Sequence, residues 1–223
     1  MDSTDSQGRI WRRGRQLVLP KAWIQDRKRD YYYKKAREEK YRSRASYKLI
    51  QAVKKYDFIK YGDVVIDLGA APGGWIQVAK RIIGNKGFIL GVDLKPIEPF
   101  PQSYVRTIVG DMTERETLEQ ILELLPRKAD VVISDASPNI SGIWEVDHAR
   151  QIDLAQQALE ISYETLRPHG NFFVKAFQGD LLDDFIQKMR KHFQTVKIIK
   201  PAASRAKSSE IFLLGLNLRQ LPD

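Results

Sequence analysis

A chain of 223 residues with 43% hydrophobic content is long enough for one sizeable domain with a small appendage. It contains no cysteine, which excludes disulfides, cysteinyl zinc sites and thiolate catalysis; its three histidines, His148, His169 and His192, are scattered, so no metal is expected. The formal charge of +9 is segregated: residues 1–60 carry 18 Lys/Arg against 7 Asp/Glu, a distribution that suits either a polyanion partner or a solvated basic tail.

At the N-terminus, MDSTDSQGRIWRRGR has no apolar core of a leader, and no apolar run in the chain approaches the length of a bilayer span. A cytoplasmic protein without a membrane partner is expected. Cations alternate with Trp11, Trp23, Tyr31, Tyr32 and Tyr33, and Tyr41 follows. Rings that stack on bases, beside cations that meet phosphates, suit RNA better than a membrane surface. Residues 1–40 are therefore read as a basic, aromatic-rich extension that contacts RNA, and residues 41–223 as the main domain. A helix is permitted from about Asp26 to Lys40, and YRSRAS (Tyr41–Ser46) reads as a basic turn. Leu49, Ile50, Val53 and Tyr56 then mark a helical stripe over Tyr47–Tyr56, with Lys48 beside it.

The next stretch, DVVIDLGAAPGGW (Asp63–Trp75), organises the rest. A β-branched run stops at Gly69, Pro72, Gly73 and Gly74, and apolar residues resume at helical spacing from Trp75 to Ile83. A buried strand entering a glycine turn and then a helix brings free N–H groups close to a ligand. The glycine spacing departs from the dinucleotide fingerprint, and Pro72 sits where a pyrophosphate cradle wants an N–H. The following strand, Gly87–Val92, ends at Asp93, placed to hold a ribose diol. Adenosine without pyrophosphate fits S-adenosylmethionine better than NAD, while glycines needed only for close packing remain the plain alternative.

Strands then alternate with helices: a strand at Tyr104–Val109, a helix at Arg115–Leu125, a strand at Asp130–Ser134 and a long helix at Asp147–Leu166. A strand at Asn171–Ala176, a helix near Leu181–Phe193 and strands at Thr195–Ile199 and Glu210–Leu216 complete the chain. This is an α/β pattern with a mainly parallel sheet of seven strands. The loop Lys200–Ser209 is too short for a crossover helix, so the last two strands should pair antiparallel at the end of the sheet.

Ligands of open α/β sheets bind beyond the carboxyl ends of the strands, and those ends carry Asp67, Asp93, Asp111 and Asp135. Any one of them could be a helix cap; four together are harder to explain so. Lys175, inside NFFVKAF, is a charge in a strand otherwise fit for burial and needs a partner. Glu210 opens the last apolar strand after the basic SRAK loop.

The segments RSRASYKL, DLGAAPGGW, SDASPN with Ser141-Gly142 after it, VKAFQG and SRAKSSE, in this order over about Tyr41–Leu218, resemble the FtsJ/RrmJ family of ribosomal RNA ribose 2'-O-methyltransferases. The resemblance implies a Rossmann-like S-adenosylmethionine-dependent methyltransferase fold with an antiparallel last strand, and a monomer acting on a uridine of large-subunit ribosomal RNA, met on the subunit. It places the family's catalytic tetrad on Lys48, Asp135, Lys175 and Glu210, and cofactor contacts on Gly73, Trp75, Asp93, Asp111 and Asp135. A ribose hydroxyl is a poor nucleophile until its proton is removed or shared, and lysine serves as the base only when neutral, a form favoured by burial and a neighbouring cation such as Lys48. Pyrimidine C5 methylation would need a thiolate, and adenine amino methylation an aromatic that SDASPN lacks. A non-catalytic RNA-binding or ribosome-assembly protein with the same fold is the strongest rival, and the intact tetrad argues against it.

Overall fold

The structure, a computed structural model, describes residues 31–205 and 208–220 together with the backbone of three short strands near the N-terminus. Those strands, β1 (Ser3–Thr4), β2 (Ile10–Arg12) and β3 (Arg15–Leu17), form a small antiparallel sheet in chain order. Trp23, the side chain of Trp11 and the first part of the helix expected from Asp26 lie outside the described residues, as does Lys207.

Residues 31–38 form helix α1. α2 (Ser46–Tyr56) follows, and then strands alternate with helices: β4 (Val64–Leu68), α3 (Gly74–Ile83), β5 (Phe88–Asp93), β6 (Val105–Val109), α4 (Arg115–Leu124) and β7 (Ala129–Ser134). α5 (Trp144–Thr165), β8 (Leu166–Phe177), α6 (Leu182–His192), β9 (Phe193–Ile199) and β10 (Glu210–Leu218) complete the domain. The strand order is β6-β5-β4-β7-β8-β10-β9, parallel except for β10, which runs antiparallel to both of its neighbours. The expected hairpin of the last two strands is present, with β10 inserted between β8 and β9. β10 has an unbroken buried run from Ile211 to Gly215, whereas β9 is buried only at its two ends, Phe193 and Ile199. The strand that is apolar on both faces takes the interior place, and the mixed one takes the edge.

Both sheet faces are covered. Val64, Ile66, Leu68, Phe172, Val174 and Leu213 pack with Ile152, Leu159 and Phe185 of α5 and α6. Val65, Ile133, Phe173 and Phe212 pack on the opposite side with Leu49 of α2 and Ile76 of α3. Covering both faces leaves the two ends of the strands as the places where polar chemistry can collect.

At the N-terminal end of β7 that chemistry is structural. Buried Asp130 accepts from the Val64 N–H at 2.7 Å and pairs with Arg127 at 2.6 Å and Arg167 at 2.5 Å. Burial opposes its ionisation, but the donors of Arg127, Val64 and Arg167 outweigh it and hold its carboxyl below the ordinary value.

Candidate active site

At the other end of the sheet the glycine turn leaves β4. Gly69 has φ +74°, and a Cβ there would lie 2.6 Å from the Ala136 Cα, so only glycine allows this approach between the turns after β4 and β7. Beside the turn is a cavity of about 690 Å³, lined by Gly69, Asp93, Asp111, Asp135, Asn139 and Arg150 among others. Asp93 is fixed by accepting from Ala71 N at 2.8 Å and Lys95 N at 2.9 Å. Asp111 accepts through Oδ1 from the N–H and hydroxyl of Thr113, which leaves Oδ2 for a ligand. Three of the four strand-end aspartates thus line one cavity. Asp67 does not: it is 1% exposed, neither of its oxygens has a partner, and burial first, then Asp135 and Asp93, push its carboxyl well above the ordinary value.

Gly73 and Trp75 are outside the cavity lining. Gly73, at φ +100°, faces Arg42 and Phe100, which a Cβ would meet at 2.8 and 3.0 Å. Trp75 is buried against Phe173, with ring centroids 5.5 Å apart, and its indole N–H donates to Ala45 O at 2.8 Å. Arg42 spans the same region, donating to Glu98 O at 2.7 Å and lying 3.9 Å over the Phe100 ring. The basic turn before α2 is therefore clamped onto the glycine turn.

Lys48, Asp135, Lys175 and Glu210 meet just beyond the cavity. Lys48 Nζ lies 2.8 Å from Glu210 Oε2 and 3.5 Å from Asp135 Oδ2, while Lys175 Nζ lies 3.3 Å from Asp135 Oδ1 and donates to Asp135 O at 2.9 Å. Lys175 is 4% exposed and belongs to an interior strand, so its charge-bearing atom has been taken into the protein toward these partners. Asp135 belongs to both groups, lining the cavity and joining the four-residue cluster.

Several residues that sequence reasoning did not single out hold this cluster. Ser204 donates to Glu210 Oε1 at 2.8 Å, so both oxygens of that carboxylate are engaged. Lys200 donates to the carbonyls of Ser208 and Glu210; burial, and secondarily Lys48, lower its pKa against the opposing pull of Glu210. The turn containing Ser204 is tied to α2 through Ala203, which donates to Gln51 Oε1 at 3.1 Å and accepts from Arg44 at 2.8 Å. Gln151, buried on α5, donates to Ala136 O and Lys175 O, both at 3.3 Å, joining the Asp135 loop to β8. Its signal was present as three polar residues, Asp147, His148 and Gln151, on the buried side of one helix.

The extension meets the domain here too. Tyr32 of α1 packs on Tyr47 with ring centroids 5.3 Å apart and planes tilted by 44°, and accepts from Gln51 at 2.9 Å, and Tyr41 packs on Tyr47 at 5.6 Å. Tyr32 and Tyr41 are thus used in packing, whereas Tyr31 and Tyr33 are exposed. Among the described residues no helix is long and apolar enough to cross a membrane, and no three His, Cys, Asp or Glu side chains gather to hold a metal.

The strand order, the antiparallel strand inserted beside the edge and the aspartate-lined cavity at the carboxyl ends define a methyltransferase fold. The chain belongs to the FtsJ-like methyltransferase family, whose sequence profile matches residues 41–218. It is 53% identical over 198 residues to a ribosomal RNA large subunit methyltransferase E of Methanocaldococcus jannaschii, covering 87% of this chain and 81% of that protein. A protein of the same name from Methanothermobacter thermautotrophicus is 49% identical over 201 residues, 90% of this chain and 95% of that one. Among solved structures, a Plasmodium falciparum protein assigned as a ribosomal RNA methyltransferase superposes with a TM-score of 0.73 at 29% identity, covering 81% of this chain and all of that one.

Proposed function

We propose that this enzyme transfers a methyl group from S-adenosylmethionine to a ribose 2'-hydroxyl of ribosomal RNA, and that the target is a uridine of the large-subunit RNA, met on the assembled subunit by a monomer in the cytoplasm. The observation that carries this reading is the cluster of Lys48, Asp135, Lys175 and Glu210, joined through Asp135 to an aspartate-lined cavity. The names of the relatives support the choice of RNA.

The cavity residues fit the donor. Asp93, oriented by two backbone N–H groups, suits a ribose diol, and the free Oδ2 of Asp111 suits another donor of the adenosine. Gly73 and Trp75, whose surroundings are filled by Arg42, Phe100 and Phe173, would meet the donor only through backbone atoms. When bound, S-adenosylmethionine supplies a methyl already activated as a sulfonium. What remains is to align the hydroxyl and take its proton. Lys175 Nζ is aimed by its hydrogen bond to Asp135 O, and in its neutral form accepts the proton of the hydroxyl. Lys48, held between Glu210 and Asp135, keeps those carboxylates in place beside Lys175. Residues 1–40 add cations and the exposed rings of Tyr31 and Tyr33 for the RNA.

A non-catalytic assembly protein would have no use for two lysines and two acids gathered in this way. Mapping 2'-O-methyl marks on ribosomal RNA from cells with and without the protein decides the matter. The expected result is the loss of one uridine mark in the large-subunit RNA; an unchanged set of marks contradicts the proposal.

A further inference from the structure

Large apolar side chains are left exposed where the chain passes from the Asp135 loop into α5. Ile140 is 63% exposed, Ile143 59% and Trp144 44%, and Val146 and Leu181 are exposed beside them. Leu181 is brought to this place by its N–H, which donates to His148 Nε2 at 3.1 Å. Trp144 is held rather than loose: its ring stacks on His148 at 5.6 Å with a 15° tilt, and on Phe177 at 6.0 Å with a 21° tilt.

This patch is continuous with the proposed active site on two sides. Phe177 follows Lys175 along β8 and is paired across the sheet with Glu210. Pro138 and Asn139, just before Ile140, line the cavity. Charge then discriminates among occupants. Glu145, Asp180, Asp183 and Asp184 are exposed on the segments that carry the patch, against Arg150, Lys188 and Lys191 in the groove that Leu181 and Asp184 line, so the acids are not outnumbered and the surface offers no cationic cradle for phosphate. A nucleobase is uncharged and has an apolar face, so the part of a nucleotide that this surface accepts is the base.

We propose that the patch centred on Trp144 is a platform for a nucleobase of the RNA substrate at or next to the reacting ribose, with the base turned inward and the phosphates outward. The proposal rests on the ribose-methylation reading above. It assigns base contact to α5 and leaves phosphate contact to the basic N-terminal side of the molecule.

The test uses the full chain and a fragment of large-subunit ribosomal RNA. Trp144→Ala should weaken RNA binding about 10- to 100-fold, the range typical of a lost base–aromatic stack. The salt dependence of binding and the affinity for S-adenosylmethionine should not change, because neither phosphate contact nor the cofactor cavity is touched. Trp144→Phe should restore most of the affinity. In a chain whose Trp11 and Trp23 are replaced by Phe, RNA should quench tryptophan emission, and the further Trp144→Phe change should abolish the quench, since Trp75 is buried. Unchanged affinity in Trp144→Ala, or a loss accompanied by a shallower salt slope, overturns the proposal. So does a Trp144→Ala variant that binds and methylates free RNA normally but fails on assembled subunits, which would make the patch a protein-docking surface. Failure of the wild-type chain to transfer methyl to RNA would instead refute the underlying reading, because the binding and quenching measurements do not depend on turnover.

Discussion

Asp130 and Asp135 stand at opposite ends of β7 and illustrate two uses of a carboxylate. Asp130 is buried among a backbone N–H and two arginines, each within 2.7 Å, and its charge is fully answered. Asp135 faces two lysines at 3.3 and 3.5 Å and borders an open cavity. Tight, complete pairing locks a fold and leaves nothing to react. Looser pairing around a cavity keeps an amine and its partners available to a substrate. The adjoining strand β4 sharpens the contrast, because Asp67 at its active-site end is buried with no partner at all. A buried carboxyl without a partner costs stability.

The largest expected effect is at the loose end. Lys175→Ala should lower turnover by about 100- to 10,000-fold, as for a lost general base, with affinity for S-adenosylmethionine retained by isothermal titration. Lys175→Arg should be nearly as inactive, since a guanidinium keeps the cation but cannot accept the proton. Recovery of most of the activity with Arg would reduce Lys175 to an electrostatic role. At the tight end, Asp130→Asn should cost about 1.5–3 kcal/mol in denaturant unfolding, the worth of hydrogen bonds to a charged group, with turnover per folded molecule unchanged. Smaller is Ser204→Ala, which frees one oxygen of Glu210: about a 10-fold loss of turnover with KM unchanged, restored by Ser204→Thr, is expected from steady-state kinetics.

The pH dependence of stability should carry opposite signs from the two ends. Asp130 has a depressed pKa in the fold, so its contribution is present above the unfolded carboxylate pKa and is lost as pH falls through the folded value. Asp67 has a raised pKa, so the folded chain holds a proton that the unfolded chain releases. Its contribution is greatest below the ordinary carboxylate pKa and is lost as pH rises toward the folded one. Urea midpoints measured across that range should show the decline with rising pH flattened in Asp67→Asn, and the acid-side loss flattened in Asp130→Asn.

The strands of the main sheet were legible because most are short apolar runs ended by a turn residue or an aspartate; β1, β2 and β3 carry no such run and were not foreseen, and β8 begins at Leu166, five residues before the strand expected from Asn171. Lys175 stood out because a lysine within NFFVKAF has no comfortable place in a sheet. The insertion of β10 between β8 and β9 was not legible. Loop length specifies an antiparallel pair but not which member sits inside, and only the comparison of their buried faces does so. Asp67 and Asp93 look alike in sequence, each ending or nearly ending a strand; in the fold Asp67 is buried, whereas Asp93 is held on the cavity wall by Ala71 N and Lys95 N. Ser204 and Gln51 act through contacts distant in sequence, and polar side chains at such positions carry no local pattern that separates them from ordinary surface residues; Gln151 differs, because it shares one helix side with Asp147 and His148.

The proposed role of Lys175 requires that the methyl group reach a ribose oxygen and not a base. Large ribosomal subunits whose RNA lacks the mark can be incubated with the protein and S-adenosylmethionine labelled in the methyl group, and the extracted RNA then hydrolysed in alkali, which cleaves a chain only where a free 2'-hydroxyl attacks the adjacent phosphate. The label should be recovered in an alkali-stable dinucleotide, with almost none transferred by Lys175→Ala. Label recovered in a mononucleotide would place the methyl on a base and contradict that role.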